Sequence, residues 1–179
     1  MEDLNIGQPL LPLGNAQLRA SCRLWSDHVC SFKTPKTLDI DLTQINRKII
    51  PAFYSVLQAQ DFGKQAENTK KLHAEISKVV EVSDPHGPFF LGSHLSFVDI
   101  QFAPWMIRLS RVLKHYRSWP NPSPGSRWAR WIDAVENNEH VKATTSLDEL
   151  YIDSYERYAQ NRPNTSELAD AISGGYGLP

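Results

Sequence analysis

The sequence predicts an all-α bundle packed around one buried central helix. Three observations carry this. Apolar residues recur at three- and four-residue spacings along most of the chain, and no convincing two-residue alternation marks a strand. One segment, Ser96 to about Leu113, is apolar around nearly its whole circumference, as a buried helix is. The 179 residues suffice for one domain with a core of its own.

Asn15 is a good N-cap, and Leu18, Cys22, Trp25 and Val29 after it share one helical face. A second helix, from about Gln44 to Gln60, carries Ile49, Phe53 and Leu57. A third, from about Lys64 to Val82, sets Leu72, Ile76, Val79 and Val80 among Lys and Glu, the pattern of a surface helix with one buried stripe. Ser83-Asp84-Pro85-His86-Gly87-Pro88 is a turn cluster that ends it. After the central helix come a loop at Pro120 to Gly125 and helices from about Arg127 to Asn137, Leu147 to Ala159 and Thr165 to Ser173, the last closed by Gly174-Gly175. No internal repeat is visible.

The central helix opens on Leu91 to Ile100, LGSHLSFVDI. Ser96 is placed as N-cap and Asp99 as N3, a capping box in which hydroxyl and carboxylate each satisfy one orphan amide. Asp99 also suits the positive end of the helix dipole, and Leu95 with Ile100 supplies a hydrophobic staple. A buried helix start needs such side chains because water cannot reach its amides.

The stretch from Cys30 to Ile45 does not fit. Val29 and Ile49 are about 200° apart in helical phase as written and about 40° apart with those sixteen residues removed. Pro35 breaks a helix interior. We expect an in-frame retained intron of about 48 nucleotides, with a surface loop as the alternative, since added loop length changes closure entropy only slowly.

Composition excludes several classes. The formal charge is −1 with acids and bases interspersed, so no basic stripe points to nucleic acid. Two cysteines, Cys22 and Cys30, make neither a disulfide framework nor a metal site, and the six histidines are scattered. The N-terminus has acids where a signal peptide has bases, and no apolar run approaches the ~20 residues that span a bilayer. The expectation is a soluble cytoplasmic protein without metal, in which the sequon Asn164-Thr165-Ser166 is never glycosylated.

Gly87 to Trp105, GPFFLGSHLSFVDIQFAPW, resembles the signature of the C-terminal helical domain of glutathione transferases. RLWSDHV at Arg23 to Val29 and NRKIIPAFY at Asn46 to Tyr54 resemble that domain's first helix, and RWARWIDAVENNEHVKATT at Arg127 to Thr145 resembles a later segment. The tail from Glu149 is similar to fungal omega-like members. The resemblance implies a glutathione transferase C-terminal-type bundle over residues 15–179, with an insertion at 30–45 and residues 1–14 as the remnant of an interdomain linker. It implies glutathione as co-substrate, held by a thioredoxin-like domain that this chain lacks, so that no cofactor is bound by the chain alone. We expect a truncated gene model.

The resemblance puts Trp25, Tyr151 and Tyr155 at the wall of the second-substrate pocket. The residues themselves leave alternatives open: Trp25 lies in an apolar stripe, which favours core packing, and Tyr151 and Tyr155, at i and i+4, read equally as a half-buried surface pair. Ser96 and Asp99 are structural, and no residue is assigned a catalytic role. The implied substrate is a small hydrophobic electrophile, a disulfide or dehydroascorbate, and the implied partner a second copy in a homodimer. The alternatives are a non-catalytic helical protein-interaction module and a non-functional gene-model product.

Overall fold

Residues 10, 14–17, 19–20 and 48–162 are described by the computed structural model. Among them every regular element is helical apart from one isolated bridge between Phe89 and Gly92, as the sequence predicts. The helices are α1 (Ile50–Gln58), α2 (Phe62–Val82), α3 (Phe97–Arg108), α4 (Lys114–Arg117), α5 (Arg127–Asn137), α6 (Glu139–Thr144) and α7 (Asp148–Ala159). Cys22, Trp25, the segment 30–45 and the helix expected at Thr165–Ser173 lie outside the described residues.

Local chemistry sets the helix ends. α1 follows directly on π-helical backbone at Lys48 and Ile49, and Pro51 stands in its first turn. The Asp61 carboxylate accepts from the Lys64 amide at 2.9 Å, so α2 begins at Phe62, two residues before the start expected from the sequence. α2 packs against α1 and buries Leu72, Ile76 and Val79. α6 is not anticipated by the sequence reading. Its one buried residue, Val141, is too little for periodicity, and what starts it is Asn138, whose side-chain oxygen accepts from the His140 and Val141 amides.

The central rod is longer than expected. α3 continues through a π-helical segment, Leu109–Leu113, into α4, so helical backbone runs from Phe97 to Arg117. It stops at Ser118, which takes the left-handed conformation at φ 51°. Phe102, Met106, Leu109, Val112 and Leu113 are buried at or below 2% exposure, which places the rod at the centre of the core.

The start of the rod holds a fully buried carboxylate. Asp99 Oδ2 accepts from the Ser96 amide at 2.7 Å and from the Ser96 hydroxyl at 2.5 Å. That hydroxyl also faces the Asp99 amide, which closes the capping box. Asp99 Oδ1 accepts from the Phe90 amide at 2.8 Å and from the Trp131 indole at 2.7 Å. One carboxylate thus joins the loop before α3, the N-terminus of α3 and the middle of α5.

The same loop is gripped from outside by α5. Arg127 donates to the carbonyls of Asp84 and Phe89, at 2.5 and 2.9 Å, while its guanidinium lies 5.2 Å from the Trp131 ring; Arg130 donates to the Pro85 carbonyl at 2.9 Å. Within the loop, the Gly87 and His86 amides donate to Asp84 Oδ1 and hold its carboxyl below the usual range. The turn closes so tightly that a Cβ on Gly87 would sit 2.3 Å from the Gly92 carbonyl carbon.

At the other end of the rod, Arg117 donates through Nη2 to the carbonyls of Leu57 and Ala159, both at 2.5 Å. Gln60 adds a second donor to Ala159 at 2.9 Å. The C-termini of α1 and α7 are therefore capped by one guanidinium.

Two outcomes follow. Asp99→Ala strands four buried donors and lowers stability by about 3 kcal/mol, whereas Trp131→Phe removes one donor and costs about 1.5 kcal/mol. In urea denaturation the double variant falls short of the sum; a loss under about 1 kcal/mol for Asp99→Ala would contradict the role given to the carboxylate. Gly87→Ala lowers the urea midpoint, by about 2 kcal/mol in stability, because the atoms the new Cβ meets are the Gly92 backbone, which cannot rotate away. Gly63→Ala, where the nearest atom is the Asp61 side chain at 3.1 Å, serves as the milder control.

Candidate functional site

Three helices bring aromatic rings together on one side of the rod. α1 supplies Phe53 and Tyr54, α3 supplies Trp105 at i and Arg108 at i+3, and α7 supplies Tyr151, Tyr155 and Tyr158 at i, i+4 and i+7. The α3 pair and the α7 tyrosines each share a helical face. Tyr155 meets Phe53 edge-on at 6.1 Å between ring centroids and stacks on Tyr54 at 6.3 Å; Tyr158 lies 5.4 Å from Tyr54, and Trp105 lies 5.5 Å from Phe53.

Arg108 sits among these rings. Its guanidinium carbon is 5.2 Å from the Trp105 centroid and 5.7 Å from those of Tyr151 and Tyr155. Such contacts attract a cation to the ring faces. Its Nε donates to the Tyr155 hydroxyl at 2.6 Å and Nη1 to the Pro104 carbonyl at 2.7 Å. Pro104 lies inside α3 and has no N–H to give the preceding turn; Arg108 ties down the carbonyl of this irregular turn. Nη2 makes no hydrogen bond among the described residues, so both of its N–H groups remain for a ligand.

Tyr54 forms the floor. It is 8% exposed, and burial pushes its phenol well above the ordinary range, with Tyr155 beside it adding to the shift. It is a neutral ring with a polar edge. Trp105, Tyr151, Tyr155 and Tyr158 are partly exposed above it. The arrangement can hold a flat apolar group against ring faces and offer an acceptor on it a guanidinium donor and phenol hydroxyls. Among the described residues no group of three or more His, Cys, Asp or Glu is placed to hold a metal ion.

Of the residues singled out in the sequence, Tyr151 and Tyr155 come together in this cluster, Trp25 lies outside the described residues, and Ser96 and Asp99 form the cap at the far end of α3. The sequence reading missed Tyr54, Trp105 and Arg108. Trp105 was counted as core apolar surface, and the signal that could have separated it is Arg108 three residues on, a charge directly after the apolar run 102–107.

The phenol of Tyr54 gives a test. An unfolded tyrosine ionises near pH ~10, while the folded one keeps its proton. Above that pH the unfolded state releases a proton the native state retains, so stability falls as pH rises. Urea titrations between about pH 8 and 11 should show a shallower alkaline decline for Tyr54→Phe than for the parent; parallel curves would mean the phenol is not buried.

Comparison with known proteins agrees with this architecture. Residues 64–134 match the family model described as "Glutathione S-transferase, C-terminal domain". The chain is similar to glutathione S-transferase DHAR2 of Arabidopsis thaliana, 27% identical over 127 residues, which is 70% of this chain and 57% of that protein. It is also similar to the probable cytosolic glutathione S-transferase DHAR1 of Oryza sativa subsp. japonica, 26% identical over 63% of this chain and 52% of the relative. The chain thus spans about half the length of these curated relatives. Among solved structures, glutathione transferase Omega 3C from Trametes versicolor superposes with a TM-score of 0.68 at 28% identity, over 89% of this chain and 60% of that one. The fold is that of a glutathione transferase C-terminal helical domain. No described helix is long and apolar enough to cross a membrane.

Proposed function

We propose that the chain is the substrate-site half of a glutathione transferase, and that the Arg108 cluster is the wall against which the second substrate lies. The observation that carries this is a guanidinium held among three aromatic rings with its Nη2 N–H groups still free, a composition suited to a flat, weakly polar electrophile. The match of residues 64–134 and the likeness to an omega-class structure support the family reading. The likeness to the glutathione S-transferases DHAR2 and DHAR1 supports glutathione as co-substrate, taken with a small oxidised or electrophilic second substrate. A homodimer and a cytosolic setting go with the same reading, as does the assignment of Tyr151 and Tyr155 as pocket residues.

On this reading the division of labour is physical. The domain that holds glutathione activates its thiol; this chain orients the electrophile and keeps water off one face of it. Arg108 would fix the substrate by hydrogen-bonding a nitro, carbonyl or hydroxyl oxygen, and Tyr151 and Trp105 would flank the ring. Binding energy used this way positions the reacting carbon rather than changing its reactivity.

The test is kinetic. In a glutathione transferase containing this chain joined to a thioredoxin-like domain, Arg108→Met should raise KM for 1-chloro-2,4-dinitrobenzene or dehydroascorbate by roughly tenfold. KM for glutathione should stay unchanged. Equal rises in both constants would move Arg108 out of the substrate wall, and no rise in either would remove the cluster from the reaction.

A further inference from the structure

A concavity that shares no residue with the aromatic cluster lies between the C-terminal half of α2, the loop after α4 and the start of α5. Its volume is about 460 Å³, within the usual range of small-ligand sites, roughly 300–1,000 Å³. The floor is Ile76 and Trp119, both under 10% exposed. The walls are Pro122 and Trp128. These surfaces are fixed in place: the Trp119 amide donates to the Leu113 carbonyl at 3.2 Å, and Trp128 stacks on the buried ring of Phe102 at 5.6 Å. His73 lies at the rim, its ring 6.3 Å from that of Trp119 and tilted by 38°.

The electrostatics of the cleft have one sign. No Lys or Arg is among its lining residues, and Glu81 carries the fixed charge there. Glu81 is exposed and makes no ion pair or hydrogen bond among the described residues, in contrast to Glu75 one turn and a half earlier, which pairs with Lys78 at 2.8 Å. Two indole rings, whose faces are the negative part of their quadrupole, stand with an uncompensated carboxylate. Ring faces attract a flat ligand by area and a cation by charge, and the carboxylate repels an anion.

We propose that this cleft is a binding site for a flat aromatic cation, such as a protonated aromatic amine or a quaternised heteroaromatic ring system. The ring lies against Trp119 and Trp128, and the charge points to Glu81. The site is independent of the substrate wall at Arg108.

The test titrates the full chain with berberine as the aromatic cation, 1-naphthalenemethanol as the neutral ring and 8-anilinonaphthalene-1-sulfonate as the anion, following ligand fluorescence. Berberine should bind one-to-one and saturably, tighter than the other two. Glu81→Gln, at an exposed position, should weaken berberine roughly fivefold and leave the neutral ring unchanged. Ser123→Trp, which fills the mouth, should abolish binding, while Arg108→Met should leave it as it was. Equal affinity for all three probes, indifference to Glu81→Gln, absence of saturable binding, or loss of binding on Arg108→Met alone would each overturn the proposal. The last outcome would assign the dye to the aromatic cluster instead.

Discussion

A single buried carboxylate holds the arrangement together. Asp99 accepts from two amides, a hydroxyl and an indole, in a place with no measurable exposure. An ionised carboxylate removed from water is tolerated only when its lone pairs are matched by donors, and here the donors come from three separate pieces of chain. The requirement runs both ways. The donors also need an acceptor, so the loop, the helix start and α5 are each incomplete without the others. The α3 rod is thereby fixed at its N-terminal end, and the position of Trp105 and Arg108 along it follows.

Arginines close the structure around that centre by a common device. Arg117 and Arg127 spend their donors on backbone carbonyls rather than on carboxylates. Those carbonyls belong to helix ends and to a turn, the places where backbone acceptors lack regular partners. A planar fork with five N–H groups can serve several such acceptors at once, which a lysine cannot. Arg111 differs: it bridges Glu136 on α5 and Asp148 at the start of α7, so it fastens side chain to side chain at the surface.

The fold was legible wherever a periodic apolar stripe met a capping residue, as in α2, α5 and the start of α3. Ser96 and Asp99 could be placed because their spacing and the apolar run behind them act locally. The fourth and third partners of Asp99, Trp131 and the Phe90 amide, could not, since a sequence does not state which distant donor meets a carboxylate. α6 escaped because its formation rests on Asn138 more than on burial. Part of the aromatic cluster was visible as the Tyr151–Tyr155 pair within one helix. Tyr54, Trp105 and Arg108 join it through contacts between helices, which no spacing within one segment reveals.

The π-helical segment in the rod has a meaning for register. A π turn holds one more residue than an α turn, so everything after it is rotated by about 100° relative to an uninterrupted α-helix. Arg108 lies before Leu109–Leu113 and Arg117 after it. Their faces are thus set independently: the first half of the rod is phased to present Arg108 to α7, the second to bring Arg117 to the ends of α1 and α7. The widened turn works as a coupling between two differently aligned shafts, and a chain shorter by one residue there could satisfy either alignment but not both.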